Sequence, residues 1–192
     1  MKNDNCGKSD KTPKDFCKLI GKHAARWMHK PRRILDPSIG DGRLVDAFLY
    51  HVPYTWLDGM EVVGYDTDAE RLEEANRTLS SVVDTTVYNK PFGLNPDSGA
   101  KFDLALMHSP YAGDLYMTHL AYLSTYMVED GVIAFIYPDR VFRDPKGKKE
   151  RGLKDWVSRF SVFDLPYTPN KILVGECKAI QHLSIIKHNS HA

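Results

Sequence analysis

Apolar residues recur along this chain at helical spacing and in short unbroken runs, and the two patterns take turns. Phe16, Leu19, Ile20, Ala24 and Trp27 mark one face of a helix through about Met28. Thr12 reads as its N-cap, Pro13 as its first residue, and Lys30-Pro31 as its end. Residues 32–36 form a short strand. A glycine-bearing loop follows, then a helix over 42–51 that buries Leu44, Val45 and Phe48. Residues 61–66 read as a second strand. Thr67 with Glu70 reads as a capping box, opening a helix whose apolar face is Ala69, Leu72, Ala75 and Leu79. Residues 85–88 form a third, short strand, and 102–107 a fourth, apolar throughout as a central parallel strand must be. A helix over 114–128 carries Tyr116, Leu120, Leu123 and Met127 on one side, and 131–137 form a fifth strand. Beyond a lysine-rich loop at 143–151 and a short helix over 156–159, residues 160–165 and 179–187 read as a final antiparallel pair, with 167–175 unassigned between them.

Strands alternating with helical patterns specify an α/β fold, a doubly wound, mostly parallel sheet closed by an antiparallel C-terminal strand pair. Residues 1–11, rich in Lys, Asn, Asp and Ser, read as a disordered lead-in, and 12–192 as a single domain without a separate target-recognition domain. Composition changes this picture little: 42% hydrophobic and 27% charged residues are ordinary for a globular chain. A net charge of +1 removes any global basic field, so a nucleic-acid surface has to be local. Three cysteines without framework spacing fit a reducing compartment. The N-terminal stretch has no signal-like apolar run, and no segment approaches the ~20 apolar residues of a membrane span. A cytoplasmic protein with no membrane partner is expected. Cys177, His182, His188 and His191 are spaced loosely like metal ligands but fall in a predicted strand and a tail, so no metal is expected.

In sheets of this kind, ligands bind outside the carboxyl ends of the strands, at the point where strand order reverses. Asp36, Asp66 and the stretch 108–111 all stand at such ends. Gly40 and Gly42 let backbone approach a ligand, and the helix that follows offers unpaired N–H groups. Asp66, ending the second strand, stands where an acid accepts hydrogen bonds from both ribose hydroxyls of an adenosine cofactor. Singly, a Gly-Asp-Gly is most often a turn and a strand-ending Asp a helix cap; their order here points to an adenosine site. The loop lacks the full G-x-G-x-x-G of nicotinamide and flavin proteins, so spacing alone leaves the cofactor open. Asn89 and Phe92 follow the third strand, where Phe92 is a candidate to stack on adenine or simply part of a surface loop. Arg140, Arg143, Lys146, Lys148, Lys149 and Arg151 form the concentrated basic stretch, a candidate to track phosphates or a solvated face.

Asp36-Pro37-Ser38-Ile39-Gly40-Asp41-Gly42 resembles the D-P-x-x-G-x-G loop of class I S-adenosylmethionine (SAM)-dependent methyltransferases, and its D-P form resembles the amino-methyltransferases that modify adenine in DNA. His108-Ser109-Pro110-Tyr111 is similar to the N/D/S-P-P-Y/F motif that ends the fourth strand in that family, with His for the first residue and Ser for the first proline. The Thr12-Pro13 helix is similar to the family's N-terminal helix, and the resemblance covers nearly the whole chain. It implies a Rossmann-like SAM methyltransferase fold and SAM held by Thr12, Asp36, Pro37, Gly40, Gly42, Asp66, Thr67, Asn89 and Phe92. It further implies methyl transfer to an exocyclic amine, adenine N6 in DNA, by residues 108–111. There His108 is the side-chain acceptor for an amine hydrogen, the Ser109 carbonyl the backbone acceptor, and Tyr111 the ring that stacks on the flipped base. DNA would be the substrate, contacted by the N-terminal helix and the basic stretch or through a partner chain that supplies target recognition. The alternatives are a catalytically inactive SAM-binding or accessory subunit, or transfer to RNA, protein or a small molecule.

Overall fold

Period-two alternation along the strands sorts their side chains into two separate cores. The structure, a computed structural model, describes residues 12–93, 101–109, 115–138, 161–164 and 170–176. Its strands are β1 (Arg33–Asp36), β2 (Glu61–Asp66), β3 (Asp84–Asn89), β4 (Phe102–Met107), β5 (Met127–Pro138), β6 (Ser161–Asp164) and β7 (Asn170–Glu176). They form one sheet in the order β3-β2-β1-β4-β5-β7-β6, in which the first five run parallel and β7 runs antiparallel to both β5 and β6.

Ile34, Val62, Leu104, Leu106, Val132, Ala134 and Ile136 point to one face. Leu35, Val63, Ala105, Met107, Ile133 and Phe135 point to the other. Because both faces of the central strands are covered, those strands are apolar throughout. The first face is covered by α1 (Lys14–Trp27), α2 (Arg43–His51) and α3 (Ala69–Leu79), through Ile20, Ala24, Val45, Phe48, Leu72, Ala75 and Leu79. The second is covered by α4 (Leu115–Tyr126), through Tyr116, Leu120, Leu123 and Tyr126, with Phe92 beside them. Over β2 and β3 this second face leaves an open hollow of about 280 Å³ between Arg33, Glu61, Val63, Tyr65, Thr86 and Tyr88.

Several local expectations change. Thr12 does not cap α1: the N-cap position is Pro13, no side chain caps the helix, and the Thr12 hydroxyl is committed to His108 instead. Thr67 does not open α3 either. Asp68 is the N-cap, and its carboxylate accepts the Arg71 amide at 3.2 Å, because Asp68 is extended and stands three residues before that N–H. Trp27 is 41% exposed at the end of α1 rather than part of its buried face. β6 pairs with 170–176, a stretch left unassigned above: Val162 and Phe163 stand opposite Leu173 and Ile172, and on the other edge Ile172, Leu173 and Val174 pair with Ile136, Phe135 and Ala134 of β5. Asn170 and Gly175 flank that run and hide it as a turn-rich stretch. The 1–11 lead-in, the lysine-rich loop, the 156–159 helix and 179–187 lie outside the described residues.

Close packing of α1 on α2 depends on Gly21, where a Cβ would lie 2.6 Å from the Ala47 carbonyl oxygen. Backbone cannot move aside as a side chain can, so Gly21→Ala must push the helices apart. A loss of about 1–3 kcal/mol in urea unfolding is expected, and an unchanged midpoint would show that the two helices can separate freely.

Candidate active site

The rim formed by the carboxyl ends of β1 to β4 gathers most of the chemistry-bearing residues. At the end of β1, Asp36 is 1% exposed, and its carboxylate accepts the Ser38 amide at 2.9 Å, bending the chain away from the sheet. The turn then passes through Gly40 (φ 55°) and Gly42 (φ 78°), left-handed conformations that glycine adopts without strain. A Cβ on Gly42 would also meet Ala75 and Leu79 of α3 at 3.1–3.2 Å.

Asp66 closes this loop from the end of β2. One carboxylate oxygen accepts the Gly40 N–H at 2.9 Å and the other accepts the Asp68 N–H at 3.0 Å. A carboxylate has about four acceptor sites, so both oxygens keep lone pairs for a ligand's hydroxyls. Asn89, paired with Asp66 in the parallel ladder, donates its side-chain amide to the Asp66 carbonyl at 3.4 Å. Thr67 beside them is exposed, while Pro37 is buried. The Arg71 guanidinium lies so close to Gly40 that a Cβ there would be 2.2 Å from it, and its buried Nε has no hydrogen-bond partner among the described residues.

From the end of β4, His108 faces the N-terminal segment. Its Nδ1 lies 2.6 Å from the Thr12 hydroxyl, and the Thr12 carbonyl accepts from Arg43 at 3.0 Å. Arg43 is itself clamped by the buried Asp41 carboxylate, Nε to Oδ1 being 2.8 Å. Thr12 is thereby tied to the glycine loop and to β4 at once. Burial pushes the His108 pKa down to about 4, so its ring is neutral at pH 7. Ser109 is buried and bonded to His119 of α4.

The structure therefore brings Thr12, Asp36, Pro37, Gly40, Gly42, Asp66, Asn89, His108 and Ser109 to one rim. Phe92 is only 6% exposed, its ring packed against Tyr65, Tyr126 and His119 at 5.2–5.5 Å between centroids. Most of its surface is spent on the core. Pro110, Tyr111, Arg140, Arg143, Lys146, Lys148, Lys149 and Arg151 lie outside the described residues. Sequence reasoning missed Ser38, Asp41, Arg43, Arg71 and His119. The one available signal was His119 itself, a polar residue on the apolar stripe of Tyr116, Leu120 and Leu123.

An open hollow of about 680 Å³ lies at the opposite end of the strands, lined by Tyr54, Gly59, Met60 and Val83. It has no share in this network. Among the described residues, no group of three or more His, Cys, Asp or Glu could hold a metal ion, and no helix is long and apolar enough to cross a membrane.

No family model matches the chain, and no curated protein matches it in sequence. Solved structures do match. A 16S rRNA methyltransferase from T. thermophilus, solved with AdoMet and guanosine, is similar with a TM-score of 0.61 at 17% identity, over 90% of this chain and 44% of its own. A structure described as a modification subunit of a type I restriction enzyme from Vibrio vulnificus gives 0.68 at 14% identity, over 92% of this chain and 46% of its own. The fold is that of the Rossmann-like methyltransferases. A third structure, the O-methyltransferase TomG from Streptomyces achromogenes solved with SAM, aligns at 0.60 and 12% identity, over 86% of this chain and 81% of its own. The chain thus spans less than half the length of the first two.

Asp36, the last residue of β1, is an acid whose charge is expensive to bury. Burial raises the Asp36 pKa to about 7, the nearby Asp66 charge adds to the rise, and the Ser38 amide and Arg71 oppose it. A carboxyl with its folded pKa raised above its unfolded value contributes stability at low pH that is lost as pH rises through about 7. Asp36→Asn keeps an acceptor for Ser38 and cannot ionise. It should raise the melting temperature more at pH 8 than at pH 5; equal shifts at both would refute a charge penalty.

Proposed function

We propose that this chain is a SAM-dependent methyltransferase that acts on an exocyclic amine, with adenine N6 in DNA as the acceptor. The observation that carries the reading is the Gly40 N–H bonded to the strand-ending Asp66, with His108 and Ser109 held across the same rim. The residues present fit such a cofactor. Two positive-φ glycines shape the loop, Asp66 retains lone pairs for ribose hydroxyls, and Asn89 lies beside it. Arg71 Nε, without a partner among the described residues, offers a donor against the loop. When bound, SAM supplies an electrophilic methyl on a sulfonium centre.

The chain's own part is orientation. An aromatic amine is a poor nucleophile while its lone pair is spread into the ring, and acceptors for its two hydrogens turn that lone pair toward the methyl. His108 has one acceptor nitrogen when neutral. If Nδ1 carries the proton and donates it to Thr12, Nε2 is left as that acceptor; the opposite tautomer would present a donor. The Nδ1-protonated tautomer, with the Thr12 hydroxyl as its acceptor, is the one in which His108 does the work of the Asn or Asp it replaces, and the low pKa keeps the ring out of its cationic form. The Ser109 carbonyl accepts the second hydrogen and Tyr111 stacks on the base. The substrate strand is contacted by α1 and the basic residues Arg140 to Arg151, or through a partner chain that supplies target recognition. The likeness to a modification subunit and to an rRNA methyltransferase fits a nucleic-acid acceptor.

Calorimetric titration with SAM and S-adenosylhomocysteine, followed by radiolabelled methyl transfer to DNA, RNA and protein, tests the reading. Binding with label in DNA is the expected result. Binding without label in any acceptor would favour an inactive or accessory cofactor-binding subunit, a reading that the replacement of Asn or Asp by His108 keeps in play. Asp66→Ala should weaken SAM binding by roughly 2–4 kcal/mol, and unchanged affinity would remove the cofactor assignment. His108→Ala should leave SAM binding intact and abolish turnover, whereas His108→Asn, which keeps an acceptor, should retain it. Normal turnover in His108→Ala would end the proposed role.

A further inference from the structure

Ser38, Ser109 and His119 form a polar node that the roles above leave unexplained. Ser109 and His119 are 1% and 2% exposed. The Ser109 hydroxyl lies 2.7 Å from His119 Nδ1. The Ser38 hydroxyl donates to Ser109 Oγ at 3.4 Å and lies 3.5 Å from the same Nδ1. The three side chains come from three separate elements: the glycine loop, the end of β4 and the middle of α4.

Their position gives the node its meaning. The ladder between β1 and β4 runs through Ile34↔Leu104 and Leu35↔Ala105 and goes no further. Beyond it the two chains diverge around the crevice at the reversal of strand order, where ligands bind in such sheets. Ser38 and Ser109 bridge that gap after backbone pairing has ended. The bond directions are consistent: Ser38 donates to Ser109, and Ser109 donates to Nδ1 of a neutral imidazole. The imidazole is fixed in turn, its ring set edge-on to Phe92 at 5.5 Å and 88°, with Phe92 wedged against Tyr65 and Tyr126. A buried hydroxyl held by a rigid acceptor cannot swing without losing its partner, which costs more than the bond contributes when made.

We propose that His119 is a positioning residue: acting through Ser109, it sets the distance between the glycine loop and the residues His108 and Ser109 at the end of β4. This rests on the reading of that rim as a methyl-transfer site, where the loop would hold the methyl donor and the Ser109 carbonyl the acceptor amine. A displacement of about 1 Å between two reacting partners is enough to cost about a hundredfold in rate. Ser109 lacks the locked φ of a proline; the node restrains it through the side chain instead.

The test compares full-length His119→Leu, His119→Asn, Ser109→Ala and the double variant Ser109→Ala/His119→Leu. His119→Asn keeps an acceptor near the Nδ1 position and His119→Leu does not. His119→Leu is expected to lower kcat by at least about tenfold, with SAM affinity held within about twofold. His119→Asn should recover most of that loss, and the double variant should be no slower than the slower single. Equal defects in the Asn and Leu variants, or losses that multiply in the double variant, would overturn the proposal. So would a kcat loss matched by falls in melting temperature and SAM affinity. Should His119→Leu fail to fold, Ser109→Ala, which removes only a hydroxyl, carries the same kcat-against-affinity comparison. Imidazole 15N shifts separate this proposal from the wider reading: the wild type should show Nδ1 as a hydrogen-bonded acceptor, and Ser109→Ala should move that resonance. An unmoved resonance would refute the node even in an active enzyme. A moved resonance in a protein that transfers no methyl would leave the contact standing and refute its role in transfer.

Discussion

Parallel pairing of β1 with β2 on one side and β4 on the other is the constraint on which the rest depends. β1 has four residues, yet it is bonded along both edges. Its entry is held as well, because the Asp103 carboxylate at the start of β4 accepts the amides of both Arg32 and Arg33 at 2.8 Å. Once these strands run the same way, their carboxyl ends must share one rim. Asp36, Asp66, Asn89 and His108 then meet in space although they span more than seventy positions of sequence.

Along that rim, buried polar groups are secured in pairs rather than left to solvent. Asp36 takes the Ser38 amide, Asp41 takes Arg43, His119 Nδ1 takes the Ser109 hydroxyl, and the half-buried Asp66 takes the Gly40 and Asp68 amides. Each would be destabilising if orphaned, since an unmet buried polar group costs about 1–3 kcal/mol. Burial also selects the chemistry. It drives the pKa of both His108 and His119 down to about 4, which turns two titratable rings into neutral acceptors over the whole physiological range. Unfolding exposes these rings at ordinary pKa values, so the stability they contribute is present above about 6.5 and lost as pH falls through about 4.

The two faces of the sheet carry different loads. Three helices cover one face and form the larger apolar core, with Gly21 permitting the close approach of α1 to α2. On the other face, α4 both closes the core and reaches back to the rim through His119. The same helix that buries Leu120 and Leu123 therefore also sets the geometry at the end of β4. Helix packing and site geometry are one problem here.

The sequence by itself determined the element types, most of their bounds and the topology class, because hydrophobic periods of helix and strand are local properties. β2 and β4 were legible to the residue at 61–66 and 102–107. Gly40, Gly42 and Asp66 were legible as a ligand loop because backbone freedom and a strand-ending acid are written in residue type and order. Only the tertiary structure decided who bonds to whom. Thr12 read as a helix cap, but its hydroxyl has a better partner in His108, ninety-six positions away. His119 was missed within the helix over 114–128, although it is the acceptor for Ser109. Thr67 read as the cap that Asp68 turned out to be. A polar side chain's partner is set by which groups burial leaves unsatisfied nearby, and nearness across a parallel sheet is created by pairing rather than by sequence.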